Sequence, residues 1–242
     1  MADTTFDLPQ LAKYLHLPEN QVKKLADRGD LPGRKIKGDW QFAHAEIHHW
    51  LEQRIGLSDD RTLASMEDAL EKAAPADGQK NIPIAKIIPR EAIAVPFPVR
   101  TKESAIRSMV QLAANTGYLW DTEKMIEALR KREELHPTAL GNGVALLHPR
   151  RPMGSILGES FIALGIAPNG VYFGDTGGLT DIFFLICSTD DQMHLRILAR
   201  LSRIITAEGF LTSLRSLESS DEILALIADT EAEIYPKAEG KP

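Results

Sequence analysis

A single cysteine, Cys187, excludes an internal disulfide, and its place inside an apolar run predicts a small buried hydrophobe. That run, Ile182 to Cys187, is the longest clean apolar stretch, far short of the roughly 20 residues a membrane helix needs. No basic-then-apolar leader precedes Leu8. These absences predict a cytoplasmic protein with no membrane insertion. An excess of positive charge is missing too. The net charge is −6, so a chain-wide basic field is excluded and any DNA contact must come from a local patch. What remains is ordinary globular composition, 43% hydrophobic and 26% charged, over 242 residues, a length comfortable for two domains.

Residues 1–55 read as a compact unit. Leu8, Leu11, Ala12 and Leu15 recur at helical spacing. Pro18 restarts the chain at a position where a first-turn proline is tolerated, and Val22, Leu25 and Ala26 mark a second short helix that Gly29 ends. Arg34-Lys35-Ile36-Lys37 and Trp40-Gln41-Phe42 form two arms of a hairpin, with Gly38-Asp39 as the expected turn. A third helix follows, carrying Ile47, Trp50 and Leu51 on one face. Two short helices, a tight turn and a hairpin make a winged helix-turn-helix. Gln21, Lys23, Lys24 and Arg28 on the second helix and Arg34, Lys35 and Lys37 on the wing are the candidate DNA contacts. Across the unit, eight acidic residues balance eight basic ones, so a single copy is a weak DNA binder and a homodimer would gain from effective concentration. His44 and His48 have a metal-compatible spacing, but no further ligand completes a site, so no metal is expected.

Residues 56–81 change character. Leu63 to Ala74 has helical potential, and Pro75 to Asn81 reads as a linker. From Ile82 the chain alternates types. Ala92–Val95, Val144–Leu147, Phe161–Ile166 and Ile182–Cys187 are strand candidates. Ile106, Met109 and Val110, then Met125, Ile126 and Leu129, then Ile197, Leu198, Leu201 and Ile205 define helices. Asn169-Gly170 and Asp175-Thr176-Gly177-Gly178 read as turns around a short strand. Ser219 and Glu222 open the last helix with the spacing of a capping box. Interleaved strands and helices predict a layered α/β domain over 82–235, with 236–242 as a tail.

The chemistry concentrates in Thr138 to Arg151. Gly141, Asn142 and Gly143 form a loop whose backbone N–H groups can face an anion, with the Thr138 hydroxyl as a further donor. A four-residue apolar strand then delivers His148 to its end, where ligand sites in α/β sheets gather. Arg150 and Arg151 follow and would attract an anionic group. A neutral imidazole is a competent nucleophile near neutral pH, and phosphorylated imidazole is labile enough to hand the group on. The arrangement demands neither cofactor nor divalent cation. His194 lies in register with Ile197, Leu198 and Leu201 and leans toward their apolar face.

Two resemblances sharpen these readings. Leu8–Leu17, Arg28-Gly29-Asp30-Leu31-Pro32, Gly38–Phe42 and Trp50-Leu51 resemble the excisionase-like and MerR-like winged-helix families. Residues 82–235 resemble the enzyme IIA domain of the fructose/mannitol type from the bacterial phosphoenolpyruvate-dependent phosphotransferase system, a group that includes the nitrogen-regulatory IIA proteins. The residues that carry this likeness are Arg100–Ala105, Arg132-Glu133, Gly141–Ala145 with His148, Asp181–Leu185, His194–Ala199 and Ser220–Ile223. The resemblance implies a three-layer domain with a mixed sheet, in which His148 carries phosphate and His194 supports it. It also implies a histidine phosphocarrier protein as donor and a IIB component or a regulatory target protein as further partner. The chain departs from the family at His136-Pro137 before Thr138, at Leu147 in place of proline and at Pro149 in place of glycine. The expectation is a regulatory phosphocarrier, not a turnover enzyme, coupled to a DNA-binding winged helix. A IIA relay to a separate IIB component and a protein-binding adaptor without chemistry are the alternatives.

Overall fold

The computed structural model describes residues 5–15, 17–44, 46–47, 49–51, 83–174 and 178–236. The expected helix at Leu63–Ala74, the linker at Pro75–Asn81 and the turn at 175–177 lie outside these residues, as do His48 and the tail beyond residue 236.

The N-terminal unit opens on β1 (Thr5–Asp7), too short to show an alternation, and continues through α1 (Leu8–Leu15) and α2 (Glu19–Arg28). Gly29 closes α2 in the left-handed region at φ 77°, and the N–H groups of Gly29 and Asp30 return to Ala26 and Leu25. The wing strands are β2 (Arg34–Ile36) and β3 (Asp39–Ala43), and β1 pairs antiparallel with β3 to give the order β1-β3-β2. The turn sits one residue earlier than expected. Ile36 pairs with Asp39, so Lys37-Gly38 is the two-residue loop, and both have positive φ, 53° and 98°. That is the geometry a tight hairpin with the right-handed strand twist requires. The described residues of 44–51 are helical (α3). Leu11, Val22, Phe42 and Ile47 are fully buried between these elements.

The second domain is a mixed four-stranded sheet between two layers of helices. Its strands are β4 (Ile93–Ala94), β5 (Val144–Leu147), β6 (Phe161–Tyr172) and β7 (Leu179–Cys187), in the order β4-β6-β7-β5. β4 runs parallel to β6, β6 antiparallel to β7, and β7 parallel to β5. α4 (Lys102–Ala114) and α5 (Thr122–Leu135) cover one face. α6 (Asp191–Thr206), α7 (Phe210–Arg215) and α8 (Ser220–Ile234) cover the other. Helices thus cover both faces of the sheet, which is why edge strand β5 and most of inner strand β7 are continuous apolar runs. Alternate residues divide between the two cores: Ile182, Phe184 and Ile186 point to one, Phe183, Leu185 and Cys187 to the other.

Local differences from the sequence expectations have simple causes. Strand β4 is only Ile93–Ala94, because Arg90–Ala92 forms a 3-10 turn ahead of it. Asn169-Gly170 is not a turn between strands. It lies within β6, at a register shift between Ile166 and Val171 that adds residues opposite β7. Ser219 caps the last helix as expected, its Oγ accepting from the Glu222 N–H at 3.3 Å, but the Glu222 carboxylate takes the Ser219 hydroxyl at 2.8 Å, so the reciprocal box is found instead at Thr101 and Ser104.

Candidate functional site

Parallel pairing of β5 with β7 puts their C-terminal ends at one edge of the sheet, with Leu147 opposite Leu185. His148 leaves β5 there, and Pro149 behind it restricts its backbone to extended conformations. Ser188 leaves β7 at the same edge, and the chain turns directly into α6, whose N-cap Asp190 accepts from the Met193 N–H at 2.8 Å. The first turn of α6 thereby carries His194 back over the strand ends. The rings of His148 and His194 lie 5.0 Å apart between centroids, inclined at 52°.

Each ring is held through Nδ1. His148 Nδ1 lies 2.7 Å from the carbonyl oxygen of Leu146. A carbonyl can only accept, so Nδ1 carries the hydrogen, and in the neutral ring the nucleophilic lone pair is on Nε2. His194 Nδ1 lies 3.0 Å from Ser188 Oγ. Only 4% of His148 and 1% of His194 is exposed.

The residues singled out in the sequence do not all gather here. Gly141, Asn142 and Gly143 precede β5, whereas His148 follows it. Four strand residues at about 3.3 Å each put ~13 Å between them. The glycine loop is therefore not a cradle beside His148. It is clamped at the opposite edge of the sheet by Arg215, which pairs with Asp181 through Nε at 2.6 Å and donates to the Asn142 carbonyl at 2.8 Å. Hydrogen bonding to Asp181 raises the Arg215 pKa further, so the clamp stays charged. Gly143 is required by that clamp. Its φ is 87°, and a Cβ would stand 2.6 Å from Arg215 and 2.8 Å from Asp181. Thr138 is buried, and both its hydroxyl and its N–H are bonded to the Glu133 carboxylate. It pins the loop to α5 and does not present a donor to solvent. Arg150 is exposed and, with Pro149, Arg151, Lys131 and Leu135, lines an open groove of about 640 Å³ next to His148 in the chain.

Sequence reasoning missed the Leu146 carbonyl and Ser188, because a main-chain acceptor and a lone serine leave no pattern. His136, read as a loop residue, closes α5, and its carbonyl accepts from Arg132 at 2.5 Å. Its ring stacks on His49 of the winged helix at 5.1 Å. A second inter-domain contact joins His44 to Asp191 at 3.4 Å.

The seven candidate DNA-binding residues are all exposed. Two of the wing cations are engaged with acids: Arg34 with Glu46 at 3.1 Å and Lys35 with Asp27 at 3.3 Å. Gln21, Lys23, Lys24 and Arg28 project from the outer face of α2, opposite buried Val22 and Ala26.

Residues 86–230 match the family described as phosphoenolpyruvate-dependent sugar phosphotransferase system, EIIA 2. The chain belongs to the EIIA 2 family. Residues 5–55 match the helix-turn-helix domain family, so this EIIA domain follows an N-terminal helix-turn-helix. The PTS system fructose-specific EIIABC component of Bacillus subtilis is 29% identical over 147 residues; the match covers 60% of this chain but only 23% of that longer protein. The nitrogen regulatory protein of Bradyrhizobium diazoefficiens is 28% identical over 151 residues, covering 61% of this chain and 95% of that protein. Among solved structures, IIA mannitol from Escherichia coli superposes on the EIIA domain with a TM-score of 0.52 at 27% identity, covering 57% of this chain and 96% of that one. No helix among the described residues is long and apolar enough to cross a membrane.

Proposed function

We propose that the EIIA domain is a phosphocarrier in which His148 Nε2 accepts a phosphoryl group from a phosphohistidine of a histidine phosphocarrier protein. The carrying observation is the ring pair: His148, fixed through Nδ1 to the Leu146 carbonyl, faces His194 at 5.0 Å. As the bond from Nε2 to phosphorus forms, the donor's nitrogen–phosphorus bond breaks and its electron pair leaves with the donor ring. The hydrogen on His148 Nδ1 stays bonded to Leu146, which supports the charge the ring acquires. With Ser188 Oγ donating to Nδ1, His194 holds its hydrogen on Nε2 and donates it to a phosphoryl oxygen. Arg150, at the rim of the adjacent groove, draws the anionic group in. The winged helix couples this carrier to DNA through α2 and the wing, which makes the protein a regulator.

The test is incubation of the full chain with phosphoenolpyruvate, enzyme I and the small histidine phosphocarrier protein. Acid-labile label on the wild type and none on His148→Ala is expected. Labelling that survives His148→Ala would overturn the assignment. A transport relay to a separate IIB component is the second reading, favoured by the fructose-specific relative, whose name joins A, B and C components. Transfer of label to an added IIB component would favour it. Salt-dependent DNA binding by the full chain favours the regulator.

A further inference from the structure

The winged helix is seated beside the histidine pair. Buried apolar residues of the winged helix and of the α6–α8 face of the sheet form one continuous cluster, with Met193 packed against it. Met193 adjoins His194. Two polar contacts bracket the site. On one side, His44 meets Asp191 in the same first turn of α6 that carries His194. On the other, His49 stacks on His136 at the end of α5. Behind His44, the rings of Phe6 and Tyr14 stack at 4.9 Å, and His44 lies 4.9 Å from Phe6. Burial, with Asp191 adding to it, pushes the Tyr14 phenol up to about 12.

Phosphoryl transfer between proteins needs the donor's nitrogen, the phosphorus and the acceptor nitrogen in line, with reacting atoms within about 3–3.5 Å. Rings exposed to 4% and 1% offer no such approach. We infer that the winged helix, seated through His44–Asp191 and His49–His136, closes His148 to its phosphoryl donor, and that it must lift for the carrier to be charged. This rests on the reading of His148 as phosphoacceptor. Beyond the shared apolar cluster, the seat rests on these two side-chain contacts, and domains joined this way move relative to each other unless the interface is large and hydrophobic. The observed charging rate then scales with the fraction of molecules in the open state. By linkage, whatever the N-terminal unit grips in one state but not the other changes that fraction. Lys23, Lys24 and Arg28 stay exposed in the seated state, so a ligand can take hold of α2 while the site is closed.

The experiment compares the full-length wild type with the double variant Asp191→Ala/His136→Ala, both changes lying on the EIIA side of the seat. Two rates are followed. One is carbethoxylation of His148 by diethyl pyrocarbonate, read on its peptide by mass spectrometry. The other is charging by phosphoenolpyruvate, enzyme I and the phosphocarrier protein. Both should rise about tenfold or more, the factor that ~1.4 kcal/mol of lost seating produces. His49→Ala, on the other side of the ring stack, should raise both rates in the same direction and stands in if the double variant does not fold. Equal carbethoxylation of His148 in wild type and variants overturns the closure. Faster carbethoxylation with no label on His148 in any form supports the closure and overturns the phosphoacceptor reading instead.

Discussion

His148 and His194 face each other at 5.0 Å because the two strands that end beside them, β5 and β7, are parallel neighbours. A pair built this way divides its labour. His148→Ala should abolish charging. His194→Ala should leave label on His148 but slow its acquisition about 100-fold or more, the cost of losing a donor aimed at the transferring group. Initial rates of labelling check this; an unchanged rate in His194→Ala would remove His194 from the mechanism.

Gly143 tests the separation of the glycine loop from the site. Gly143→Ala places a Cβ against Arg215 and Asp181 at φ 87° and should cost about 1–3 kcal/mol of stability. Charging of the folded variant should be unchanged, because the loop is at the far edge of the sheet. Urea denaturation and labelling of the same sample separate the two effects.

A buried ion pair anchors the start of the EIIA domain. Glu231 takes Arg200 Nε at 2.7 Å and the N–H groups of Ile84 and Ala85 at 2.8 and 3.1 Å. Glu231→Ala removes all three bonds in a buried setting. A loss of about 3–5 kcal/mol is expected, seen as a lower urea midpoint at an unchanged slope.

Cys187 should behave as a core residue. It is fully buried, and desolvation pushes its thiol far above the ordinary range. The native protein should resist Ellman's reagent at neutral pH and react with one equivalent only after denaturation. Rapid reaction of the native protein would mean that the C-terminal end of β7 opens readily.

On the winged helix, the cations are not equivalent. Lys23 and Lys24 lie on the open face of α2, whereas Arg34 is paired with Glu46. If the unit binds DNA through α2, Lys23→Ala and Lys24→Ala should each lower the slope of log K against log salt by about 0.9 for every phosphate no longer neutralised. Arg34→Ala should lower it less. A binding constant independent of salt would point to protein contacts instead.

Much of this molecule is legible in the linear chain because its signals are local. The 3.6-residue spacing of Leu11, Leu15, Val22 and Ala26, the glycine stop at Gly29 and the Ser219 cap depend only on neighbours within a turn or two. The unbroken apolar runs of β5 and of Ile182–Cys187 in β7 report strands covered on both faces wherever those faces lie. Other features escaped for the same reason in reverse. β1 is too short to carry a period, and its existence depends on β3 being beside it. The Gly141–Gly143 loop looks like an anion cradle for His148 until Arg215, from α7, is found tying it to Asp181 at the other end of β5. Thr138 looks like an open donor until Glu133, on the preceding helix, takes its hydroxyl.

The amino-acid order by itself determined the two-domain architecture and the helix-turn-helix, which are written in spacing and residue type along the backbone, and it carried the likeness to EIIA domains that singled out the two histidines. Only the tertiary structure decided that those histidines meet, that the glycine loop lies at the other edge of the sheet, and that the winged helix leans on the first turn of α6. These are facts of strand order and domain seating. They are set by which distant surfaces bury each other, and a chain read one residue at a time carries no record of that choice.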